Sequence, residues 1–413
     1  MVTRASRPLW IILALAGFIR LAFVLAYPQP APTNDAAAYD HEGWHMASGG
    51  AGCPNPLELA KGPIYPLFLA AVYRAAGHWY PAVRVAQAVI GVVAVWLIFL
   101  IAQRLFGPRV ALAAGALATI YPPFISYAGW LLTETIGTTL LLAVVYALLR
   151  GLDSQDWRPW ALAGAASGVL ILHREEFLVV IGLCVLTLAA LRVAWRRLGL
   201  MVLVIGLMMM PWVVRNFRHY GEFVLISPGG GQQLWLSTLG RDALAWQPED
   251  PEYQRVIGSV GFLESDRLAR RAAIENVRRD PLRYAQNCLR RIPRLWIGGH
   301  SNTFVGLEAS VSEFARRGNY GKVAIKLAML AGNLLVLGLG VVGFFIAWQL
   351  GATDRRALVV VAAPVVAKAL LHTLLFSTLR YQVPIMGCFI VMAAFAVSHA
   401  RHVLRDVVPL GAS

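Results

Sequence analysis

Three carboxylates stand close together near the start of the chain, at Asp35, Asp40 and Glu42. A positioned carboxylate can act as a general base that takes the proton of a hydroxyl nucleophile. Arginines such as Arg174 and Arg380 follow later in the chain, and guanidinium groups bind phosphate through paired hydrogen bonds. Together these residue types suit the transfer of a group from a phosphate to a hydroxyl.

The stretch from His41 to His45 follows the His-Glu-x-x-His pattern of zinc proteases. In that pattern two histidines one helical turn apart hold zinc, and the glutamate activates water. Gly43 disfavours the helix that this geometry needs, and no third ligand is evident. A membrane zinc metalloprotease, or a divalent ion held near Asp35, His41 and Glu42, is therefore kept as an alternative hypothesis.

The composition is that of a membrane protein. Of the 413 residues, 58% are hydrophobic and 14% are charged, which is more apolar surface than one soluble core can bury. A water-soluble enzyme is excluded on this ground. The net charge of +15 is compatible with nucleic acid, anionic lipid or cytoplasmic loops, and the positions of the charges decide among these.

Apolar runs occur along most of the chain, and a helix that crosses a bilayer needs about 20 such residues. The run at 63–77 is shorter and contains two prolines, so we predict an interfacial helix there. The predicted fold is an all-α polytopic membrane protein with about ten transmembrane helices plus outer interfacial helices. The predicted spans are 8–27, 82–103, 109–128, 130–149, 159–173, 177–194, 198–214, 323–348, 357–376 and 383–399.

Arginine-rich loops favour one orientation in the membrane. With the N-terminus inside, the loops at 104–109, 150–158, 192–197, 355–356 and 401–405 all fall on the cytoplasmic face, as the positive-inside rule asks. Both termini are then cytoplasmic, and the segments 28–81 and 216–322 are outside. We expect an integral protein of the bacterial inner membrane whose site faces the periplasm.

The chain divides into an N-terminal transmembrane module at 1–214, a large outer loop at 215–322 and C-terminal transmembrane helices at 323–413. The first module contains the outer segment 28–81 with the candidate carboxylate. In the large loop, 264–296 has the apolar spacing of a helix and many arginines, with a break at Asp280-Pro281. Such a basic amphipathic helix pair lies on the headgroups of membrane lipids, and no nucleic acid is expected as a partner.

Under this orientation the remaining ionisable residues gather at the outer side. Charges near hydrocarbon are costly and usually face a cavity or pair with one another, so their convergence suits an anionic substrate that enters from the lipid. Each charge could also simply mark a helix end, since Asp35 could cap a helix and Glu134 could complement a helix dipole after a capping Thr133. The cluster contains Asp35, Asp40, Glu42, Lys61, Arg84, Glu134, Arg174, Glu175, Glu176, Arg215 and Arg380.

Two further features stay open at this point. The four cysteines have no CxxC spacing, but Cys53 and Cys288 both fall in outer segments, where an oxidising compartment could join them. The sequence leaves open whether the two pair. Arg20 lies inside the first predicted span, where it could snorkel to the interface or face a substrate cavity.

Several segments, in this order, resemble the GT-C-type membrane glycosyltransferases, within the superfamily of protein O-mannosyltransferases and aminoarabinose transferases. Asp35 with Tyr39 is similar to the family's first outer-loop aspartate motif. The segment from Lys61 to Ala70, which includes Tyr65, resembles its Pro-x-Tyr-Pro interfacial helix. The other matching segments are 104–107, 121–123 with Thr133-Glu134, 211–216 and 380–384.

The resemblance implies inverting transfer of a hexosyl or pentosyl group from a polyprenyl-phosphate donor to a hydroxyl of a lipid, glycan or protein acceptor. It implies Asp35 as the base, with nearby arginines or a divalent ion at the donor phosphate. Many relatives have an acidic pair at this motif, whereas Ala36 follows Asp35 here, so Asp40 and Glu42 remain alternative bases and Glu134 a further catalytic candidate. The expected substrate-binding residues are Tyr39, Lys61, Tyr65, Arg84, Arg174, Arg215, Arg380 and Tyr381.

A lipid-linked sugar transporter or flippase is a second alternative, because lipid-facing cavities serve transport as well as transfer. Release of the sugar from its donor would distinguish an enzyme from a transporter. The sequence identifies neither the sugar nor the acceptor, and it leaves metal dependence and oligomeric state open.

Overall fold

The computed structural model describes residues 6–29, 31–49, 62–240, 251–258 and 261–407, and these residues form helices and connecting turns without a β-strand. The first ten helices are α1 (Ser6–Ala26), α2 (Asp35–Ala47), α3 (Ile64–Ala76), α4 (Tyr80–Phe106), α5 (Pro108–Ile120), α6 (Pro122–Ser126), α7 (Glu134–Asp153), α8 (Arg158–His173), α9 (Glu176–Ala190) and α10 (Trp195–Tyr220).

The remaining helices form an outer group and a final transmembrane group. The outer group is α11 (Gly230–Thr238), α12 (Pro251–Tyr253), α13 (Phe262–Arg279), α14 (Pro281–Trp296) and α15 (Val311–Arg316). The final group is α16 (Tyr320–Leu350), α17 (Arg355–Leu374) and α18 (Met386–Val407), and a 3-10 helix, Leu379–Ile385, leads into α18.

Seven helical segments in the described ranges are long and apolar enough to cross a membrane. They differ in what surrounds them: the last is mostly buried inside the protein, whereas α1 and α10 expose large apolar side chains such as Phe18 and Leu207. Exposed apolar helix faces of this kind suit contact with lipid tails. The seven segments are Arg7–Ala26, Tyr80–Phe106, Glu134–Asp153, Trp195–Tyr220, Tyr320–Leu350, Arg355–Leu374 and Leu379–His399.

Three of the predicted spans are helical but short. The runs at 109–128, 159–173 and 177–194 correspond to α5, α8 and α9, which have 13, 16 and 15 residues. A straight span needs about 20 residues. The polytopic all-α fold is confirmed, whereas the number of helices that cross the bilayer fully stays a prediction, as do the sidedness of the termini and the three-part division of the chain.

The side chain of a buried arginine in α1 supplies hydrogen-bond donors to two backbone carbonyls at the end of α5. Pro122 and Pro123 end α5, and neither proline has the N–H group that would bond to the carbonyls of Ala118 and Thr119. Arg20 Nη2 donates to the carbonyl of Ala118 at 3.1 Å, and Arg20 Nη1 donates to that of Thr119 at 3.4 Å. Arg20 therefore neither snorkels nor lines the cavity described below, because its guanidinium completes the end of a neighbouring helix.

Replacement of Arg20 by Met is expected to lower the free energy of unfolding. Two buried carbonyls lose their donors, and each costs about 1–3 kcal/mol when left unsatisfied. Arg7→Met is the matched control, because Arg7 lies on the same helix but is exposed. Thermal unfolding of both purified variants in detergent measures the difference, and equal melting temperatures would contradict the assigned role of Arg20.

The outer helices confirm the predicted break at Asp280-Pro281. α13 ends at Arg279 and α14 begins at Pro281, with the Asp280 side chain accepting a hydrogen bond from Arg283 N at 2.9 Å. α14 is attached to the end of α17, because Tyr284 Oη donates to the carbonyl of Leu374 at 2.7 Å. The outer group is thus fixed to the helix that precedes the 3-10 segment.

Only one of the two outer cysteines, Cys53 and Cys288, lies in the part of the chain that the structure describes. Cys288 is buried on α14, and Cys53 lies outside the described residues. Whether the two cysteines pair therefore stays open.

Candidate active site

A cavity of about 610 Å³ lies where the polar ends of several helices meet. Its walls come from the starts of α2 and α9, the end of α17, the 3-10 segment, the 222–230 loop and α13. Apolar side chains such as Leu178 and Phe376 border it, so the cavity joins a polar site to apolar surface. The ionisable lining residues are Asp35, Tyr39, His173, Arg174, Glu175, Glu176, Glu222, Asp266, Arg267, Arg270, His372, Arg380 and Tyr381.

Four of the predicted site residues form a continuous chain of ion pairs beside this cavity. Arg380 Nη2 lies 2.7 Å from Asp35 Oδ2, and Arg380 Nε lies 3.2 Å from Glu134 Oε1. Arg174 Nη1 lies 3.4 Å from the same Glu134 oxygen. Two guanidinium groups therefore converge on one carboxylate, and both line the cavity.

The two carboxylates of this chain differ in accessibility. Asp35 and Glu134 are the first residues of α2 and α7, where the helix dipole favours a negative charge. The Asp35 side chain is 47% exposed, whereas that of Glu134 is 0% exposed. Thr133 does not cap α7 with its side chain and instead accepts a hydrogen bond from Arg174. Of these two carboxylates, Asp35 is the one that a substrate in the cavity can reach.

A second ionic cluster lies beside the first and adds two residues that the sequence analysis missed, Lys368 and His372. Glu176 Oε1 lies 3.3 Å from Arg174 Nε and 2.7 Å from Lys368 Nζ, and Glu176 Oε2 lies 3.3 Å from His372 Nε2. The ring of Tyr381 stacks on His372 with centroids 4.4 Å apart, and Arg174 Cζ lies 4.8 Å from the Tyr381 centroid. A lysine inside the apolar run 357–376 was the available signal, because an ionisable residue within a span marks a candidate functional site.

The alternative bases Asp40 and Glu42 do not line the cavity. Asp40 is buried and accepts hydrogen bonds from Tyr73 at 2.5 Å and Tyr80 at 2.8 Å, and its Oδ1 lies 2.8 Å from His78 Nε2. Glu42 is also buried, at 4% exposure. Both carboxylates are therefore buried away from the cavity, whereas Asp35 lines it.

The predicted tyrosines occupy two different positions. Tyr39 and Tyr381 line the cavity. Tyr65 lies behind Tyr39, with its ring centroid 5.0 Å away, and its hydroxyl donates to Gln87 at 2.8 Å. Burial raises the pKa of Tyr39 above its usual value, so this phenol stays protonated and can donate to a ligand.

Two predicted arginines lie apart from the cavity. Arg84 is buried, and its Nε donates to the carbonyl of Gly129 at 3.0 Å. Arg215 packs over the Trp212 ring at 4.7 Å, and its Nη1 donates to Asn216 at 3.1 Å. The expectation that Arg215 joins Arg174 and Arg380 is not supported by this placement, because a position at the outer end of a helix does not determine which way the side chain turns. Lys61 lies outside the described residues.

The turn between α8 and α9 adds a carboxyl group, Glu175, whose pKa is raised. Glu175 lines the cavity and accepts a hydrogen bond from Ser227. Burial raises the pKa of Glu175 to about 7, and the Ser227 hydroxyl offsets part of this effect. Glu175 can therefore be protonated or ionised near neutral pH.

The described residues do not fit a divalent metal ion. Asp35, Glu134 and Glu176 each already contact an arginine or lysine at 2.7–3.4 Å, so a cation of the protein lies against at least one oxygen of each carboxylate. His41, Glu42 and His45 lie on α2, but no group of three His, Cys, Asp or Glu that could hold a metal is found within the described ranges. Gly43 is explained by packing, because a Cβ there would lie 2.5 Å from Leu69 Cβ.

The comparison with protein families gives one match. Residues 60–214 match the family described as dolichyl-phosphate-mannose-protein mannosyltransferase. This segment runs from the start of α3 almost to the end of α10 and includes Glu134 and Arg174. No curated protein sequence matches the chain.

Solved structures match over nearly the whole chain. The oligosaccharyltransferase AglB from Archaeoglobus fulgidus, in complex with an inhibitory peptide and a dolichol-phosphate, is 14% identical with a TM-score of 0.56, and the match covers 98% of this chain and 52% of AglB. The same protein tethered to an acceptor peptide is 12% identical with a TM-score of 0.57, over 98% of this chain and 51% of that one. The chain thus spans about half the length of AglB.

ArnT from Cupriavidus metallidurans in the apo state is 17% identical with a TM-score of 0.46, and the match covers 92% of this chain and 77% of ArnT. At such identities, the likeness to AglB establishes the fold. Residues 60–214 are thus similar to the dolichyl-phosphate-mannose-protein mannosyltransferases, and the fold of nearly the whole chain is similar to that of AglB.

Proposed function

We propose that this protein is an inverting glycosyltransferase that moves a sugar from a polyprenyl-phosphate donor to an acceptor hydroxyl. The observation that carries the proposal is an accessible carboxylate, Asp35, which pairs with Arg380 at a cavity that Arg174 also lines. The reaction needs a base for the acceptor proton and cations for the leaving phosphate. The family match and the structures of AglB with dolichol-phosphate support a lipid-linked donor.

In the proposed reaction Asp35 takes the proton from the acceptor hydroxyl. The resulting oxygen nucleophile attacks the anomeric carbon from the side opposite the phosphate, and the bond between that carbon and the phosphate oxygen breaks. The sugar is transferred with inversion, and polyprenyl phosphate leaves with the bonding electrons. Arg380 and Arg174 stabilise the negative charge that develops on the phosphate, because their guanidinium groups lie beside the same cavity.

The surroundings of the cavity suit a donor that approaches from the lipid. Leu178 and Val179 of α9 line the cavity and are 38% and 45% exposed. Apolar side chains next to a phosphate site can accommodate the start of a polyprenyl chain while the phosphate reaches the arginines. With the charge distribution of the loops, this favours an integral protein of the bacterial inner membrane with the cavity on the periplasmic side.

The two alternative functions, a zinc metalloprotease and a flippase, explain fewer of the residues at the cavity. The metalloprotease hypothesis loses support because Glu42, which would activate water in the His-Glu-x-x-His pattern, is buried and does not line the cavity. The flippase hypothesis shares the lipid-facing cavity, but it gives no role to an accessible carboxylate paired with arginine. Transfer therefore accounts for more of the observed residues than either alternative.

The test compares cell-envelope glycans of cells with and without this protein by mass spectrometry. We expect one acceptor species to lose the mass of a single hexosyl or pentosyl unit when the protein is absent. Purified protein in liposomes with labelled lipid-linked sugar from the same cells should release polyprenyl phosphate. Transport of the intact donor across the bilayer, without release of the sugar, would contradict the proposal and favour a flippase.

A further inference from the structure

The fully buried lysine of α17 has no role in the reaction proposed above. The Lys368 side chain is 0% exposed, and its Nζ lies 2.7 Å from Glu176 Oε1. The same Nζ lies 4.6 Å from the centroid of Phe177 and 5.9 Å from that of Tyr381. Lys368 is not among the residues that line the cavity, so a substrate held there does not contact it.

Burial of this ion pair is not explained by stability alone. The desolvation of two charges costs free energy, and apolar residues of similar volume are often at least as stable as a buried ion pair. α9 and α17 pack against each other, and apolar side chains at these two positions would serve that contact. A charged pair at this point therefore requires another reason.

The buried pair of Glu176 and Lys368 also contacts Arg174, which lines the cavity. Arg174 Nε lies 3.3 Å from Glu176 Oε1, the same oxygen that Lys368 contacts. Arg174 Nη1 meanwhile lies 3.4 Å from Glu134 Oε1 and 3.1 Å from the Thr133 hydroxyl. Because Lys368 offsets part of the negative potential of Glu176, the positive potential of Arg174 at the cavity is reduced less by this carboxylate.

The next turn of α17 extends the same connection. His372 follows Lys368 by one helical turn, contacts Glu176 Oε2 at 3.3 Å and stacks on Tyr381. Tyr381 in turn lies under the guanidinium of Arg174 at 4.8 Å. Glu176 and Tyr381 thus hold Arg174 from two sides, and α17 contributes a side chain to each contact.

We propose that Lys368 is a positioning residue, which acts through Glu176 to set the placement and the available charge of Arg174 at the donor-phosphate site. It does so without contact with the substrate. This inference rests on the proposed function, since it assigns Arg174 to a phosphate.

The test measures the binding of undecaprenyl phosphate to purified protein in nanodiscs. Lys368→Met removes the charge and keeps most of the side-chain volume. We expect the Kd to rise by about tenfold or more, because Arg174 then faces the whole charge of Glu176 and binds phosphate less strongly. Lys326→Met is the matched control: Lys326 is another buried lysine, on α16, that contacts Asn302 and Leu307 away from the cavity. We expect its Kd to equal that of the wild type.

The double variant Glu176→Gln/Lys368→Met keeps the test decisive if the single variant does not fold. It removes both charges, so its thermal stability should exceed that of Lys368→Met, and its Kd should equal that of Glu176→Gln alone, because Lys368 acts through the Glu176 carboxylate. A wild-type Kd for Lys368→Met, or a Kd for the double variant clearly above that of Glu176→Gln, would overturn the positioning role. Failure of the wild type to bind undecaprenyl phosphate would instead overturn the proposed function, and the inference with it.

Discussion

Asp35→Asn is expected to abolish transfer while leaving the protein folded and able to bind the donor lipid. The amide is nearly isosteric with the carboxylate, and its oxygen can still accept the hydrogen bond from Arg380. It cannot take the proton of the acceptor, however, and loss of a general base costs on the order of 10²–10⁴ in rate. The initial rate of sugar transfer and the Kd for undecaprenyl phosphate, measured on one preparation, separate the two effects.

Asp40→Asn and Glu42→Gln are the matched comparisons for this experiment. Asp40 is held by Tyr73 and Tyr80, so its replacement should lower stability more than it lowers the intrinsic rate of the folded fraction. If either comparison costs more turnover than Asp35→Asn, the role of the base moves to that residue. An inactive Glu42→Gln beside an active Asp35→Asn, in protein containing one zinc per chain, would favour a metalloprotease.

Arg380→Ala is expected to lower turnover by about 10²–10³, the usual cost of removing a group that stabilises developing negative charge. The guanidinium of Arg380 bridges Asp35 and Glu134. The truncation removes this bridge, and Glu134 then keeps its contact with Arg174 at 3.4 Å. Arg380→Lys should restore little, because one ammonium group cannot reproduce the planar bridge between two carboxylates. Turnover and donor Kd should both be measured for the two variants.

Arg215→Ala is the control for Arg380→Ala. Both arginines were expected from the sequence to hold the donor phosphate, but Arg215 packs on Trp212 and bonds to Asn216. We therefore expect Arg215→Ala to keep the wild-type Kd for undecaprenyl phosphate. Equal losses in the two variants would mean that the arrangement of arginines at the cavity is assigned incorrectly.

The sequence predicts the general architecture well because apolar runs and breaks are local features. The outer helix pair with its break at Asp280-Pro281 is found as predicted, since a proline fits the first turn of a helix and an aspartate caps it. The prediction of one unbroken helix at 109–128 is wrong, because Pro122 and Pro123 end the helix inside the apolar run. Hydropathy alone does not register such a break.

The site is predictable only in part, for a different reason. Asp35, Glu134, Arg174 and Arg380 were all recognised from the sequence, and the structure brings them together. The directions of side chains at helix ends follow from tertiary packing, which is why Arg215 could not be separated from the others. The contact between Glu176 and Lys368 joins residues 192 positions apart, and no local pattern predicts such a pairing.

The contact between Arg20 and the end of α5 also bears on the order in which the protein assembles in the membrane. An arginine at the centre of an isolated spanning helix costs about 2.5–3.5 kcal/mol on insertion scales. α1 is synthesised first, yet the Ala118 carbonyl that receives its guanidinium comes 98 residues later. Until then the arginine must reach for the interface or for water. We therefore expect α1 to take its final depth only after α5 has been made, because the two prolines that end α5 leave free the carbonyls that Arg20 binds.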